Sequence, residues 1–113
     1  MKKLFALIAL TGLVQFASAE VVGDAKAAAE KKIAMCIGCH AIPGYKATFP
    51  EVYRVPMIAG QSAGYIESAL KAYQKGDRKN PSMRGIAGSL SEQDIADLAA
   101  YYSQAAQPAA PQK

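Results

Sequence analysis

The chain has 113 residues with 13 basic and 9 acidic side chains, one histidine and two cysteines. That length holds one small domain. The net charge of +4 is too weak, and the aromatics too little interleaved with basic residues, for a nucleic-acid surface. Cys36 and Cys39 are the only cysteine pair and would close almost no loop, which excludes a disulfide scaffold.

Lys2 and Lys3 precede an apolar run from Leu4 to Phe16, and Ala17-Ser18-Ala19 follows with small residues in the A-x-A pattern. This is the anatomy of a secretory signal peptide over 1–19, cleaved after Ala19. The run is shorter than the roughly 20 apolar residues that a bilayer span needs, so no membrane anchor is expected after cleavage. Removing Lys2 and Lys3 lowers the net charge to +2. Export places the chain in the periplasm.

One domain is expected over 20–106. Asp24 caps a first helix running to about Met35, with Lys26, Glu30, Lys31 and Lys32 on its wet side. From Ala41 to Gly60 the prolines and glycines predict a long ordered loop. Ser62 caps the next helix, where Ile66, Ala69, Leu70 and Tyr73 form one apolar stripe and Gly76 ends it. Asp77 to Gly88 reads as a second irregular stretch. Ser91 and Asp94 make a capping box before the last helix, Leu90 and Ile95 fit a hydrophobic staple, and Ile95, Leu98, Ala99 and Tyr102 repeat the stripe. The tail 107–113, of Gln, Pro, Ala and Lys, is expected to be disordered. Nothing alternates with a period of two for long enough to predict a strand. The fold class is therefore all-α: three main helices and two long loops.

Both cysteines and the one histidine fall within "CIGCH", Cys36 to His40. C-x-x-C-H is the attachment signature of a c-type haem. Residues three apart on a helical turn face the same way, so both thiols can add to the vinyl groups on one porphyrin edge. His40 is then held beneath the ring as an iron ligand. A domain this small also needs a cofactor to complete its core. A thioredoxin-like dithiol would require a βαβ setting, and a structural zinc would require a fourth ligand. Neither is present in the sequence.

The other axial position of the iron decides between electron transfer and open-site chemistry. With no second histidine, methionine is the candidate. Met1 leaves with the leader, and Met35 adjoins the attachment turn on the His40 side. Met57 sits among apolar residues in "VPMIAGQ", where a core role suffices. Met83 sits in "KNPSMRG" with little else apolar, after a full helix that lets the chain cross to the far face. Met83 is the expected ligand.

Taken in order, "CIGCH", "VPMIAGQ", "NPSM" and the final "LSEQDIADLAAYY" resemble the class I c-type cytochromes, specifically the small bacterial single-haem carriers. The resemblance covers the whole chain after the leader. It implies the small cytochrome c fold, with first and last helices crossing and loops wrapped around one haem c attached through Cys36 and Cys39. It also implies that the Pro56 carbonyl accepts a hydrogen bond from His40. In one respect the chain departs from the family, which often has a glycine in the first helix where the last helix crosses. Ala28 and Ala29 stand there, facing Tyr101 or Tyr102. Tyr53 and Arg54, in the long loop 43–54, are candidates to reach a haem propionate.

The function expected is periplasmic transfer of single electrons between redox complexes, by a monomer that is not an enzyme and whose partners are other redox proteins. Lys71, Lys75, Arg78 and Lys79 are candidates to steer an acidic partner. The alternatives are an electron-entry haem subunit of one enzyme complex, and a haem sensor or enzyme with an open sixth position.

Overall fold

Residues 20–48 and 52–106 are described by the computed structural model. The expected leader and tail lie outside them. Five helices and one short hairpin follow in the order α1 (Ala25–Lys31), α2 (Ala34–His40), β1 (Lys46–Ala47), β2 (Tyr53–Arg54), α3 (Ala63–Lys75), α4 (Pro81–Gly88) and α5 (Glu92–Gln104). The all-α expectation stands, but three helices become five.

The first expected helix is divided. Asp24 caps α1 by accepting from the Lys26 and Ala27 amides. At its far end the Ala28 carbonyl accepts from both Lys32 and Ile33, at 2.9 and 3.1 Å. The second of these bonds spans one residue more than an α-helical turn, so the helix jogs before α2 begins at Ala34. Sequence periodicity does not register such a jog, because helix-forming residues continue through it.

The other departures lie in the two stretches read as irregular. Within the long loop, Lys46 pairs with Arg54 and Ala47 with Tyr53, antiparallel. The pairing is too short to leave an alternating pattern. Between Asp77 and Gly88, Asn80 caps α4 by accepting from the Met83 amide, with Pro81 at the first helical position. A helix of eight residues gives too few turns for a stripe to show.

The core forms where α5 packs against both α1 and α3, with α4 on α3. Ala28, Ile66, Leu70, Ala87, Leu90, Ile95, Leu98, Ala99 and Tyr102 are its buried cluster. The two predicted stripes therefore supply most of the interior. Ser62 and Ser91 cap α3 and α5 as expected, and the Ser91–Asp94 capping box is complete. Leu90 and Ile95, the staple pair, are 6 % and 1 % exposed.

At the α1–α5 crossing the close approach is made by Gly23, just before the cap of α1. A side chain built there would overlap the Ala96 carbonyl and touch the Ala100 methyl. The small residue at the crossing thus lies outside the first helix. Ala28, fully buried, packs a turn further on. Beside the crossing, Asp97 Oδ1 accepts from the Asp24 amide and from Gln93 Nε2, both at 2.7 Å.

Candidate cofactor site

A cavity of about 300 Å³ opens between α2, the hairpin, α3, α4 and α5. Each wall follows from an element already described. Helix α2 brings Cys36, Cys39 and His40 to one side. The hairpin and the segment after it add Tyr53, Val55, Pro56 and Met57. Helix α3 adds Tyr65, Ile66, Leu70 and Tyr73, α4 adds Met83 and Ile86, and α5 adds Leu98 and Tyr102. All five sequence-predicted site residues, Cys36, Cys39, His40, Pro56 and Met83, line this one space.

His40 Nδ1 lies 2.6 Å from the Pro56 carbonyl oxygen. A carbonyl only accepts, so Nδ1 carries the proton and donates. The Nε2 lone pair is then free for a metal, and the ring's rotation is held by the same bond. The two thiols differ in setting: Cys36 is half-buried against the core, and Cys39 is exposed. Burial pushes the Cys36 thiol up, with the facing Tyr102 hydroxyl drawing it part of the way back. Burial likewise pushes the Tyr102 phenol well up, and the adjacent Cys36 adds to that shift.

Met35, Met57 and Met83 all line the cavity, from different parts of the chain. Met83 is half-buried and packs on the core cluster from α4. Met57 immediately follows Pro56, the residue bonded to His40, so its backbone belongs to the histidine side. Met35 adjoins Cys36 on α2 and is 41 % exposed.

Two groups on the cavity wall were not singled out for it from sequence. Arg78 was expected in a solvent-facing basic cluster. Instead its guanidinium sits 5.6 and 5.3 Å from the ring centres of Tyr65 and Tyr73. It also donates to the Tyr65 hydroxyl at 3.0 Å, which holds it firmly protonated. Arg54, the expected companion of Tyr53, is exposed and lines none of the cavity. The second group is Tyr102: its hydroxyl is buried without a hydrogen-bond partner among the described residues. A stripe position marks a tyrosine as core and says nothing about where its hydroxyl ends.

The donor set fits a covalently held haem. Two thiols and one metal-ready imidazole share a helical turn, the remaining walls are largely apolar, and a soft thioether faces in from another helix.

Comparison with known proteins agrees with this geometry. Residues 25–106 match the cytochrome c family. The chain is 48 % identical over 84 residues to cytochrome c-554(548) of Halomonas halodenitrificans, covering 72 % of this chain and 95 % of that one. It is 38 % identical over 102 residues to cytochrome c4 of Pseudomonas aeruginosa, covering 90 % of this chain and 47 % of that one. It is 35 % identical over 95 residues to cytochrome c-553 of Helicobacter pylori, covering 84 % of this chain and 92 % of that one. The chain thus spans nearly all of two of these relatives and about half the length of the cytochrome c4.

Proposed function

The chain belongs to the cytochrome c family and carries haem c on its cysteine pair, and from that premise we propose that it shuttles single electrons in the periplasm with the iron held between His40 and Met83. The observation that carries this reading is the arrival of His40 and Met83 in one apolar cavity from separate helices, α2 and α4. Met57 and Met35 come in on the histidine side.

Haem supplies a one-electron store; the rest of the work is done by the chain. Cys36 and Cys39 would hold the ring covalently through their two thiols. His40 offers Nε2 while Nδ1–H stays on Pro56, which sets imidazole orientation and basicity. Met83 offers a soft, weak donor that favours the reduced state. The apolar walls keep water away and disfavour the extra charge of the oxidised state. Arg78, held against the rings of Tyr65 and Tyr73 on the cavity wall, would offer a cation to the carboxylate substituents of a bound ring. Arg54 drops out of that role.

We read a carrier rather than an enzyme because the relatives reported above are named as cytochromes c. The reading takes the protein as an exported monomer whose partners are redox proteins. No helix of the described residues is long and apolar enough to cross a membrane. With Arg78 occupied by the tyrosines, partner steering falls to Lys71, Lys75 and Lys79.

The test is an optical spectrum of the exported protein before and after acid-acetone extraction, with Met83→Ala and Met57→Ala beside it. Haem should stay with the chain, and the oxidised form should show the weak red band of iron–methionine ligation. Met83→Ala should lose that band, lower the reduction potential and admit carbon monoxide; Met57→Ala should do none of these. Loss of the band in Met57→Ala instead moves the ligand to Met57. Ready carbon monoxide binding by the unaltered protein means an open iron and a sensor or enzyme. Stable co-purification with a larger complex identifies an electron-entry subunit.

A further inference from the structure

Helix α4 is tied down at both ends by side chains. At its entry Asn80, with extended backbone, accepts the Met83 amide proton on Oδ1 at 3.0 Å. At its exit Gln74 reaches over from α3, and its Nε2 donates to the carbonyls of Ala87 at 2.9 Å and Leu90 at 2.8 Å. One amide group carries two protons, so both bonds form together. Between these ties Ala87 is fully buried, and Met83 and Ile86 face the cavity.

An isolated eight-residue helix does not hold its shape in water. The stability of α4 therefore comes from its packing on α3 and from these two ties. Segments held this way open locally at less free energy than the whole domain unfolds. Opening of α4 would carry Met83 away from the cavity with the rest of the core intact.

Building on the reading that Met83 ligates the iron, we infer that Asn80 and Gln74 are positioning residues that seat α4 and thereby set how often the sixth position of the iron opens to an outside ligand. Neither side chain needs to touch the cofactor to do this. Asn80 fixes the backbone of the ligand residue itself. Gln74 locks the far end of the same helix to the α3 wall.

The experiment is a titration of the oxidised, haem-loaded protein with imidazole, followed by loss of the red band. The set compares unaltered protein with Asn80→Ala, Asn80→Asp, Gln74→Leu and Ser91→Ala. Asn80→Asp keeps the accepting oxygen. Gln74→Leu keeps most of the stem and removes both donors. Ser91→Ala removes a cap from α5, away from Met83, and so reports plain loss of stability. Asn80→Ala and Gln74→Leu should each tighten apparent imidazole binding about fivefold, the effect of losing one cap or its equivalent. Asn80→Asp should return close to the unaltered value, and Ser91→Ala should leave imidazole binding unchanged while lowering the denaturation midpoint.

If the band is present and is lost in Met83→Ala, but Asn80→Ala and Gln74→Leu bind imidazole like Ser91→Ala, the positioning role is overturned and Met83 ligation stands. If the unaltered protein has no red band, the ligand assignment falls and the inference falls with it. Should one variant fail to take up haem, the other decides the same question from the opposite end of α4.

Discussion

At Asp97 a carboxylate only 7 % exposed holds the start of α1 against α5. It accepts from the Asp24 amide and from Gln93, which also reaches the Val22 carbonyl. Removing a buried acceptor strands its donors, at roughly 1–3 kcal/mol for each group left unsatisfied. Asp97→Ala should therefore lower unfolding free energy by about 2 kcal/mol or more in urea titrations. Asp97→Asn keeps one accepting oxygen and should lose about half as much. Nothing in the sequence sets Asp97 apart from the other acidic residues of the last helix. Its role depends on residues more than 70 positions away, which only the crossing of α1 and α5 brings near.

Helix ends are the best-read elements, because a cap is a matter of residue type and short spacing. The Ser91–Asp94 box illustrates the consequences. Asp94 accepts from the Ser91 amide, and this bond first, then the Ser91 hydroxyl and Lys32, holds its carboxyl below the usual aspartate range. A carboxyl depressed by folding contributes stability above its unfolded pKa of about 3.9 and loses it as pH falls through the folded value. Asp94→Asn should thus be less stable than the unaltered protein at neutral pH and approach it as pH falls below the ordinary aspartate range, in thermal melts across that range. Ser91→Ala should cost about 1 kcal/mol. The α1–α5 crossing allows a sharper test. Gly23→Ala places a methyl in the Ala96 carbonyl, where backbone must yield, and should destabilise by about 1–3 kcal/mol. A glycine in α1 is what the family resemblance leads one to seek. The jog at Lys32–Ile33, the hairpin and α4 were not legible, since each is too short for periodicity to register.

For the molecule as a whole, the cofactor is part of the core. Ile66, Leu70, Leu98 and Tyr102 belong both to the core cluster and to the cavity wall, so without the cofactor their inner faces would meet water. A Cys36→Ala, Cys39→Ala protein that cannot hold haem covalently should therefore lose its near-ultraviolet circular dichroism and melt without a cooperative transition when isolated free of haem. Retention of a sharp transition would mean that the α1–α3–α5 contacts suffice alone. The lysines act at this scale too. Reversing charge at Lys75 and Lys79, both exposed, should slow electron transfer to an acidic partner at low salt, and the difference should fade as salt is raised.

The sequence by itself determined the chemistry and its address. Cys36, Cys39 and His40 are adjacent in the chain, so their joint geometry is set by one helical turn. The caps and the two apolar stripes are equally local. Tertiary structure alone decided what faces the cavity from afar. It turned Arg78 toward Tyr65 and Tyr73 instead of solvent, left Arg54 outside, buried the Tyr102 hydroxyl beside Cys36, and tied α4 through Gln74. The difference is physical: local spacing is written in bond geometry along the backbone, whereas these pairings exist only after three helices have closed on one another.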